Sequence, residues 1–357
     1  MPRKTTIRIS SNALASNLRT IKNYANKSKV WSVIKSNAYG HTIKAALKGL
    51  KETSGFAVLE LNEAVLLREN GWNGPILLLE GFFEESDLLE ICQYKITTVI
   101  HNDWQLNYIK QYDIKSPIDV YLKLNSGMNR LGFNEKDFIR TWYDLSNLKK
   151  ISSLTLMSHF SLGFSTKTVN KQMNIIRKIF KILNPTLCLA NSTAIIFHTY
   201  THKDWIRPGI ILYGILPKEN KKISKKFNLK PVMTLESRII SIQNIKSKEY
   251  IGYGKNYYSN KSNLIGIVSC GYADGYPFSV PFSGTPVFVN GTRTQIIGSV
   301  CMDMLTIDLN DCPNAKIGSK VELWGNNISI NEISKLANTT SYELMCRISS
   351  RVLVKIE

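Results

Sequence analysis

Long apolar runs are missing from this 357-residue chain. The longest, such as Ile76–Leu79, fall far short of the ~20 residues that cross a bilayer. The opening stretch MPRKTTIRIS has no apolar segment of a secretion signal, so neither membrane insertion nor export is expected. Paired cysteines are missing too. The 6 cysteines (Cys92, Cys188, Cys270, Cys301, Cys312, Cys346) contain no CxxC spacing. A chain of this size needs no disulfides to close a core, which points to reduced thiols and a cytoplasmic setting. The 5 histidines show no HExxH or other ligand spacing, so no metal is expected. Acidic residues are scarce, with 46 Lys+Arg against 27 Asp+Glu and a net charge of +19. Such an excess can mark a polyanion or acidic-membrane partner. Here the lysines are spread through a chain rich in Asn, Ile and Tyr, and no basic block alternates with aromatics. No nucleic-acid or membrane partner is therefore expected, although the field can draw small anions.

What is present is ordinary globular composition, 43% hydrophobic and 20% charged. The length suggests about two domains. Over the first 215 residues or so, β-rich runs appear at Val30–Ile34, Phe56–Leu59, Ile76–Leu79, Ile96–Ile100, Ile118–Leu124, Ser153–Met157, Thr186–Leu189 and Trp205–Ile206. Stretches of helical spacing separate them, such as Leu14/Leu18/Ile21 behind Ser11 and Asn12, Leu61/Val65/Leu66, and a helix opening at Asn102/Asp103. Eight strand–helix alternations predict an N-terminal (β/α)8 TIM-type barrel, assigned to residues 1–225. The lysine-rich stretch Lys218–Lys230 reads as a solvated connector. Beyond it come Thr234–Ile240, Leu264–Val268, Pro286–Val289, Gln295–Ile297, Leu305–Leu309 and Lys320–Leu323, separated by turns such as Asn290-Gly291. They predict a C-terminal mainly-β domain over 226–357, with one short helix near Ile330–Ala337. The fold class is α/β followed by β.

Barrel sites are built at the carboxyl ends of the strands. Lys35 follows the first strand, where loss of hydration favours a neutral, nucleophilic amine; in a lysine-rich chain a solvated strand-end lysine is the bland alternative. Lys123 closes the fifth strand and precedes Ser126–Gly132. The sixth strand ends at Ser158-His159-Phe160, the seventh at Ala190-Asn191-Ser192 and the eighth at Arg207-Pro208-Gly209. The gaps after strands seven and eight suit phosphate, with Ser192 and the amides of Gly209 and Ile210 as donors.

These motifs resemble those of the pyridoxal-phosphate-dependent alanine racemase family. The resemblance runs through Lys35-Ser36-Asn37-Ala38-Tyr39-Gly40-His41, Gly127–Gly132, Arg207–Gly214, Gly252-Tyr253-Gly254, Gly271–Pro277 and Cys301-Met302-Asp303. It implies an isomerase that interconverts L- and D-alanine with pyridoxal 5'-phosphate as cofactor. Lys35 would hold the cofactor and act as the base for D-alanine, and Tyr253 on the opposite face would be the base for L-alanine. A phenol is a poor base at neutral pH, so His159 and the arginines are candidates for tuning it. The resemblance also gives Tyr39, Ser192, Gly209, Ile210 and Tyr342 to the phosphate, and Arg207 to the ring nitrogen. It gives Arg130 to the phenolic oxygen, His159 to the cofactor site, and Arg130, Met302, Tyr253 and Tyr272 to the substrate. It implies a head-to-tail homodimer in which Tyr253 serves the partner's site, a carbamylated lysine at Lys123 in some members, and a supply of D-alanine for bacterial peptidoglycan.

Departures from the family pattern fall where its members carry charge along the substrate corridor. Phe164, Phe278 and Ser299 stand at such positions, which suggests a rebuilt, more apolar corridor, and Cys188 replaces a frequent histidine. The alternatives are a racemase of broader specificity, a decarboxylase or aldolase of the same barrel class, and a cofactor-binding barrel without turnover. A β domain carrying Tyr253 argues against the last.

Overall fold

β1 (Thr6–Ile9) opens the chain but not the barrel. In the computed structural model, which describes residues 5–114, 116–218 and 221–357, this strand pairs with β10 (Met233–Ile245) and β18 (Leu353–Ile356) of the C-terminal sheet. The segment assigned above to the barrel thus supplies a strand to the other half. There Ile7 and Ile9 are buried on one face, while on the other Arg8 reaches Glu357 and Glu236.

The barrel itself is formed by the eight expected runs. They are β2 (Lys29–Val33), β3 (Gly55–Val58), β4 (Ile76–Leu78), β5 (Thr97–Ile100), β6 (Ile118–Lys123), β7 (Ile151–Met157), β8 (Thr186–Asn191) and β9 (Trp205–Arg207). All neighbours are parallel, and β2 pairs with β9 to close the ring. Helices between them cover the outside. The first, Ser11–Tyr24, is capped by the Ser10 hydroxyl, one residue earlier than expected, and buries Leu14, Leu18 and Ile21. The helix Leu61–Glu69 buries Ala64 and Leu67, whereas Leu66, expected on the inner face, is exposed.

Inside the ring, Trp31 of β2 stacks on Trp205 of β9 at 4.4 Å between ring centroids. Its indole N–H donates to the Tyr121 hydroxyl of β6 at 3.0 Å. This aromatic floor spans the barrel, and truncating Trp31 to alanine would cost about 3–5 kcal/mol through the void left behind. Strand residues two apart share a face. The layer above Trp31, Tyr121 and Trp205 is therefore Val33, Lys123 and Arg207.

The C-terminal sheet runs β13-β16-β15-β14-β17-β10-β1-β18, with a further β10–β13 pairing. Its other strands are β13 (Asn263–Val268), β14 (Ser283–Val289), β15 (Thr292–Ile297), β16 (Leu305–Asp308) and β17 (Lys320–Trp324), with a small β-ribbon formed by Tyr250–Ile251 and Tyr257–Tyr258. The Asn290-Gly291 turn joining β14 and β15 has φ of 46° and 92°, the two-residue hairpin geometry its sequence announces. Helix Ile330–Leu336 stands where expected, followed by Ser341–Cys346. Within the lysine-rich connector, Lys221–Phe227 is helical; Glu219 and Asn220 lie outside the described residues. No described helix is long and apolar enough to cross a membrane.

Candidate active site

A cavity of about 370 Å³ opens at the carboxyl ends of the barrel strands. Val33, Lys123 and Arg207 form part of its wall, as the alternation above requires, and Lys35, Tyr39, Arg130, His159, Ser192, Gly209, Ile210 and Tyr342 complete the set expected of the barrel. Tyr253, Tyr272 and Met302 are not among its lining residues. They lie exposed on loops of the β domain, Tyr253 at 77%. One chain therefore assembles the barrel part of the expected site and leaves the substrate-side part facing outward.

Lys35 is placed by an unusual backbone. After β2 the chain passes through Ser36, Asn37, Ala38 and Tyr39, all with φ between 52° and 56°, before Gly40 at 77°. This is one turn of left-handed helix built from residues with side chains, each costing about 1–2 kcal/mol. Its surroundings hold it in place. The Asn37 amide donates to Glu63, its side-chain oxygen accepts from the Ile43 amide, and Gly40 sits so close to Met345 that a Cβ would lie 2.2 Å from the Met345 carbonyl. His41 follows, fully buried, stacked on Tyr213 at 4.4 Å, with Nδ1 donating to the carbonyls of Ala38 and Tyr39. Burial pushes its pKa down to about 4, so the imidazole is neutral. The turn carries Tyr39 back under the cavity, where its ring packs 4.8 Å from Tyr213 and 5.7 Å from Tyr342.

At one end the groups form an anion cradle. The Gly209 amide donates to Ser192 Oγ at 2.9 Å. A Cβ on Gly209 would lie 2.6 Å from the Tyr39 hydroxyl, so glycine is what lets that hydroxyl approach the backbone. Burial holds the Tyr39 phenol well above its ordinary range, and that of Tyr342 at about 12; both remain hydrogen-bond donors.

The opposite wall is cationic. Arg207 is 4% exposed. Its Nη1 donates to the Cys188 carbonyl and sulfur at 2.6 and 2.9 Å, and its Nη2 to the carbonyls of Ser158 and Leu189 at 2.5 and 3.3 Å. Nε is the donor left over. Lys123 is 6% exposed; burial first, then Arg207 and Arg130, hold its amine down to about 8. Burial and the same arginines push His159 to about 3. It is a neutral imidazole whose Nε2 accepts from the Asn191 side chain at 3.2 Å. Among the described residues neither Arg130 nor Arg207 is ion-paired. The concentrated positive charge awaits an anionic ligand.

Behind this wall lies a network that the sequence did not reveal. Gln172, buried on the helix Thr166–Leu183, donates to Ser126 Oγ and the His159 carbonyl at 2.9 Å each and accepts from the Ser161 amide. Ser126 and Ser158 hydroxyls are bonded at 2.7 Å. Glu80, Asn191, Thr193 and Cys346 also line the cavity. Asn191 and Glu80 carried a signal, their places at strand ends, Glu80 directly after the run Ile76–Leu79; Thr193 and Cys346 had no distinguishing pattern. Of the corridor positions, Phe164 and Phe278 are exposed, whereas Ser299 is 8% exposed and hydrogen-bonded to Asn256 and the Tyr253 carbonyl.

An amine at a strand end, a hydroxyl-and-amide cradle and a guanidinium with one free donor fit a phosphorylated aldehyde. Among the described residues no cluster of His, Cys, Asp and Glu could hold a metal ion. The family profile of the alanine racemase N-terminal domain matches residues 9–217, and that of the C-terminal domain residues 232–356. The alanine racemase of Sodalis glossinidius is 48% identical over 356 residues, covering 100% of both chains. A catabolic alanine racemase of Klebsiella aerogenes is 46% identical over 96% of each. The structure of a biosynthetic alanine racemase from Pseudomonas aeruginosa superposes with a TM-score of 0.94 at 35% identity, covering 99% of both chains. With both family domains matched in order and relatives aligned end to end, the chain belongs to the alanine racemase family.

Proposed function

We propose that this protein is a pyridoxal 5'-phosphate-dependent isomerase that interconverts L- and D-alanine. The observation that carries it is the barrel-mouth cavity in which Lys35, the Tyr39–Ser192–Gly209 cradle and Arg207 meet. Lys35 would hold the cofactor through Nζ. Tyr39, Ser192, Gly209, Ile210 and Tyr342 would hold its phosphate, Arg207 Nε its ring nitrogen, and Arg130 its phenolic oxygen, with His159 beside the ring. When bound, the cofactor acidifies the substrate Cα–H by drawing electron density into its ring.

The chain's own residues then divide the work. Racemisation needs a proton removed from one face of Cα and returned on the other, which two opposed bases accomplish. Lys35 Nζ serves the D face and the Tyr253 hydroxyl the L face. Arg207, with both Nη atoms tied to the barrel, would offer the ring nitrogen a hydrogen bond from Nε and no transferable proton. His159 is neutral, so it lines the site without adding charge. Arg130, the Met302 amide and Tyr272 would position the substrate carboxylate. Lys123, with its amine held near 8, has the neutral fraction that carbamylation requires; the carbamate would orient Arg130.

Because Tyr253, Tyr272 and Met302 are exposed and do not line their own barrel's cavity, the working unit in this proposal is a head-to-tail homodimer. The barrel over 1–225, less β1, would take its second base from the partner's 226–357. A cytoplasmic enzyme feeding D-alanine into peptidoglycan is the corresponding role. The purified protein should be yellow, and borohydride reduction with peptide mapping should leave the pyridoxyl group on Lys35. A label on another lysine, or colourless protein that binds no cofactor, would reject the assignment.

A further inference from the structure

We infer that Ser299 is a positioning residue for Tyr253, fixing the turn that carries this base to the segment that carries Met302. The inference rests on the role proposed for Tyr253 above. The turn has little of its own to hold it. Gly252 to Asn256 are all exposed, and three of them have positive φ: 75° at Gly252, 73° at Gly254 and 54° at Lys255. Beyond the short flanking ribbon and the Lys255 ammonium 5.3 Å over the Tyr250 ring, one polar triangle ties it to a neighbouring segment. Ser299 Oγ donates to the Tyr253 carbonyl at 3.2 Å. The Asn256 side chain donates to Ser299 Oγ at 3.2 Å and to the Tyr253 carbonyl at 3.4 Å.

Ser299 is itself well anchored. It is 8% exposed and begins the segment Ser299-Val300-Cys301-Met302. The Cys301 carbonyl accepts from the Tyr272 amide at 3.1 Å, and the Met302 carbonyl accepts from the Ala273 amide at 3.0 Å. Contact there is close: a Cβ on Gly271 would lie 2.2 Å from the Cys301 carbonyl and 2.4 Å from that of Met302. Tyr272 and Met302 are therefore locked together through backbone, and Ser299 couples Tyr253 to the pair through its side chain. A base on an exposed, glycine-flanked turn gains orientation from such a tie, and orientation is what proton transfer at a fixed carbon demands. A longer side chain at this position could not close the same triangle.

The test uses the purified holoenzyme with Ser299→Ala, Ser299→Thr and, as a variant at an exposed position that leaves the fold alone, Asn256→Ala. Loss of one neutral hydrogen bond corresponds to about a 3–10-fold change. Ser299→Ala and Asn256→Ala should lower kcat by that factor at unchanged cofactor affinity, and Ser299→Thr should restore most of it. Hydrogen exchange across 252–256 should quicken in the two alanine variants. The α-deuterium isotope effect should rise for L-alanine and fall for D-alanine, since only the Tyr253 step has been slowed. Introduced into Tyr253→Phe, Ser299→Ala should cost nothing further. Unchanged kcat and exchange in both alanine variants, or an equal loss in the Tyr253→Phe background, would overturn the inference. If Tyr253→Phe itself retains full activity, the role of Tyr253 falls instead, and the isotope effects separate the two failures.

Discussion

The left-handed turn behind Lys35 makes an unusual mutational order testable at Ser36. This residue is exposed, its φ and ψ are 55° and 51°, and its carbonyl accepts from the Gly40 amide. In an ordinary right-handed helix, alanine outranks glycine by about 1 kcal/mol. Here a residue with a Cβ costs about 1–2 kcal/mol over glycine, while glycine returns about 0.5–1 kcal/mol through its freer unfolded chain. Ser36→Gly should therefore stabilise the fold by about 0.5–1 kcal/mol as the difference of these two terms. Ser36→Ala should be neutral, since only an exposed hydroxyl is lost, and Ser36→Val should destabilise by at least about 1 kcal/mol because β-branching tolerates positive φ worst. Urea unfolding at one fixed protein concentration, with the cofactor saturating, reads the series. Activity should move the other way, with Ser36→Gly losing a few-fold in kcat as the anchor of Lys35 loosens. Alanine more stable than glycine would show that the turn is not left-handed in solution.

Three further outcomes follow from the geometry. His41, with a pKa of about 4 in the fold against ~6.5 in the unfolded chain, is charged first in the unfolded state as pH falls. Its contribution is complete above pH ~6.5 and about 3 kcal/mol is lost by pH ~4; His41→Gln should flatten the acid limb of the unfolding curve, and an unchanged slope would discount this histidine. Gly209→Ala places a Cβ 2.6 Å from the Tyr39 hydroxyl and should weaken cofactor binding about tenfold or more, roughly 1.4 kcal/mol, with folding intact; an unaltered dissociation constant would move the phosphate elsewhere. Lys35→Ala and Tyr253→Phe should each be nearly inactive alone yet recover activity when co-expressed, because one site of a mixed dimer keeps both native residues. No recovery in proven mixed dimers would end the shared-site proposal.

The barrel was legible because its eight strands are short apolar runs between helical periods, and a parallel strand buried on both faces leaves that trace. The site was legible only in part. Lys123 and Arg207 could be read as strand-end cations, and the structure shows them in the layer above the aromatic floor. The left-handed course of Ser36–Tyr39 could not be read, since Ser, Ala and Tyr favour other backbones and much of what holds the turn, such as Glu63, Tyr213 and Met345, is distant in sequence. Gln172 looked like any polar helix residue; its burial depends on which loop lies over it. The strand Thr6–Ile9, inside the span assigned to the barrel, was not read at all, since four residues of alternating apolar sequence do not say which sheet will receive them.

The placement of β1 also sets an order on synthesis. Its two partners, Met233–Ile245 and Leu353–Ile356, leave the ribosome long after it. At typical elongation rates of ~5–20 residues per second the strand waits on the order of tens of seconds for the first of them. The barrel strands, by contrast, are complete once Trp205–Arg207 emerges. A barrel that closes at that point does so while β1, tethered to it, has neither of its two partner strands. The alternation of Ile7 and Ile9 with Arg8 limits how stickily that strand can pair with the wrong neighbour.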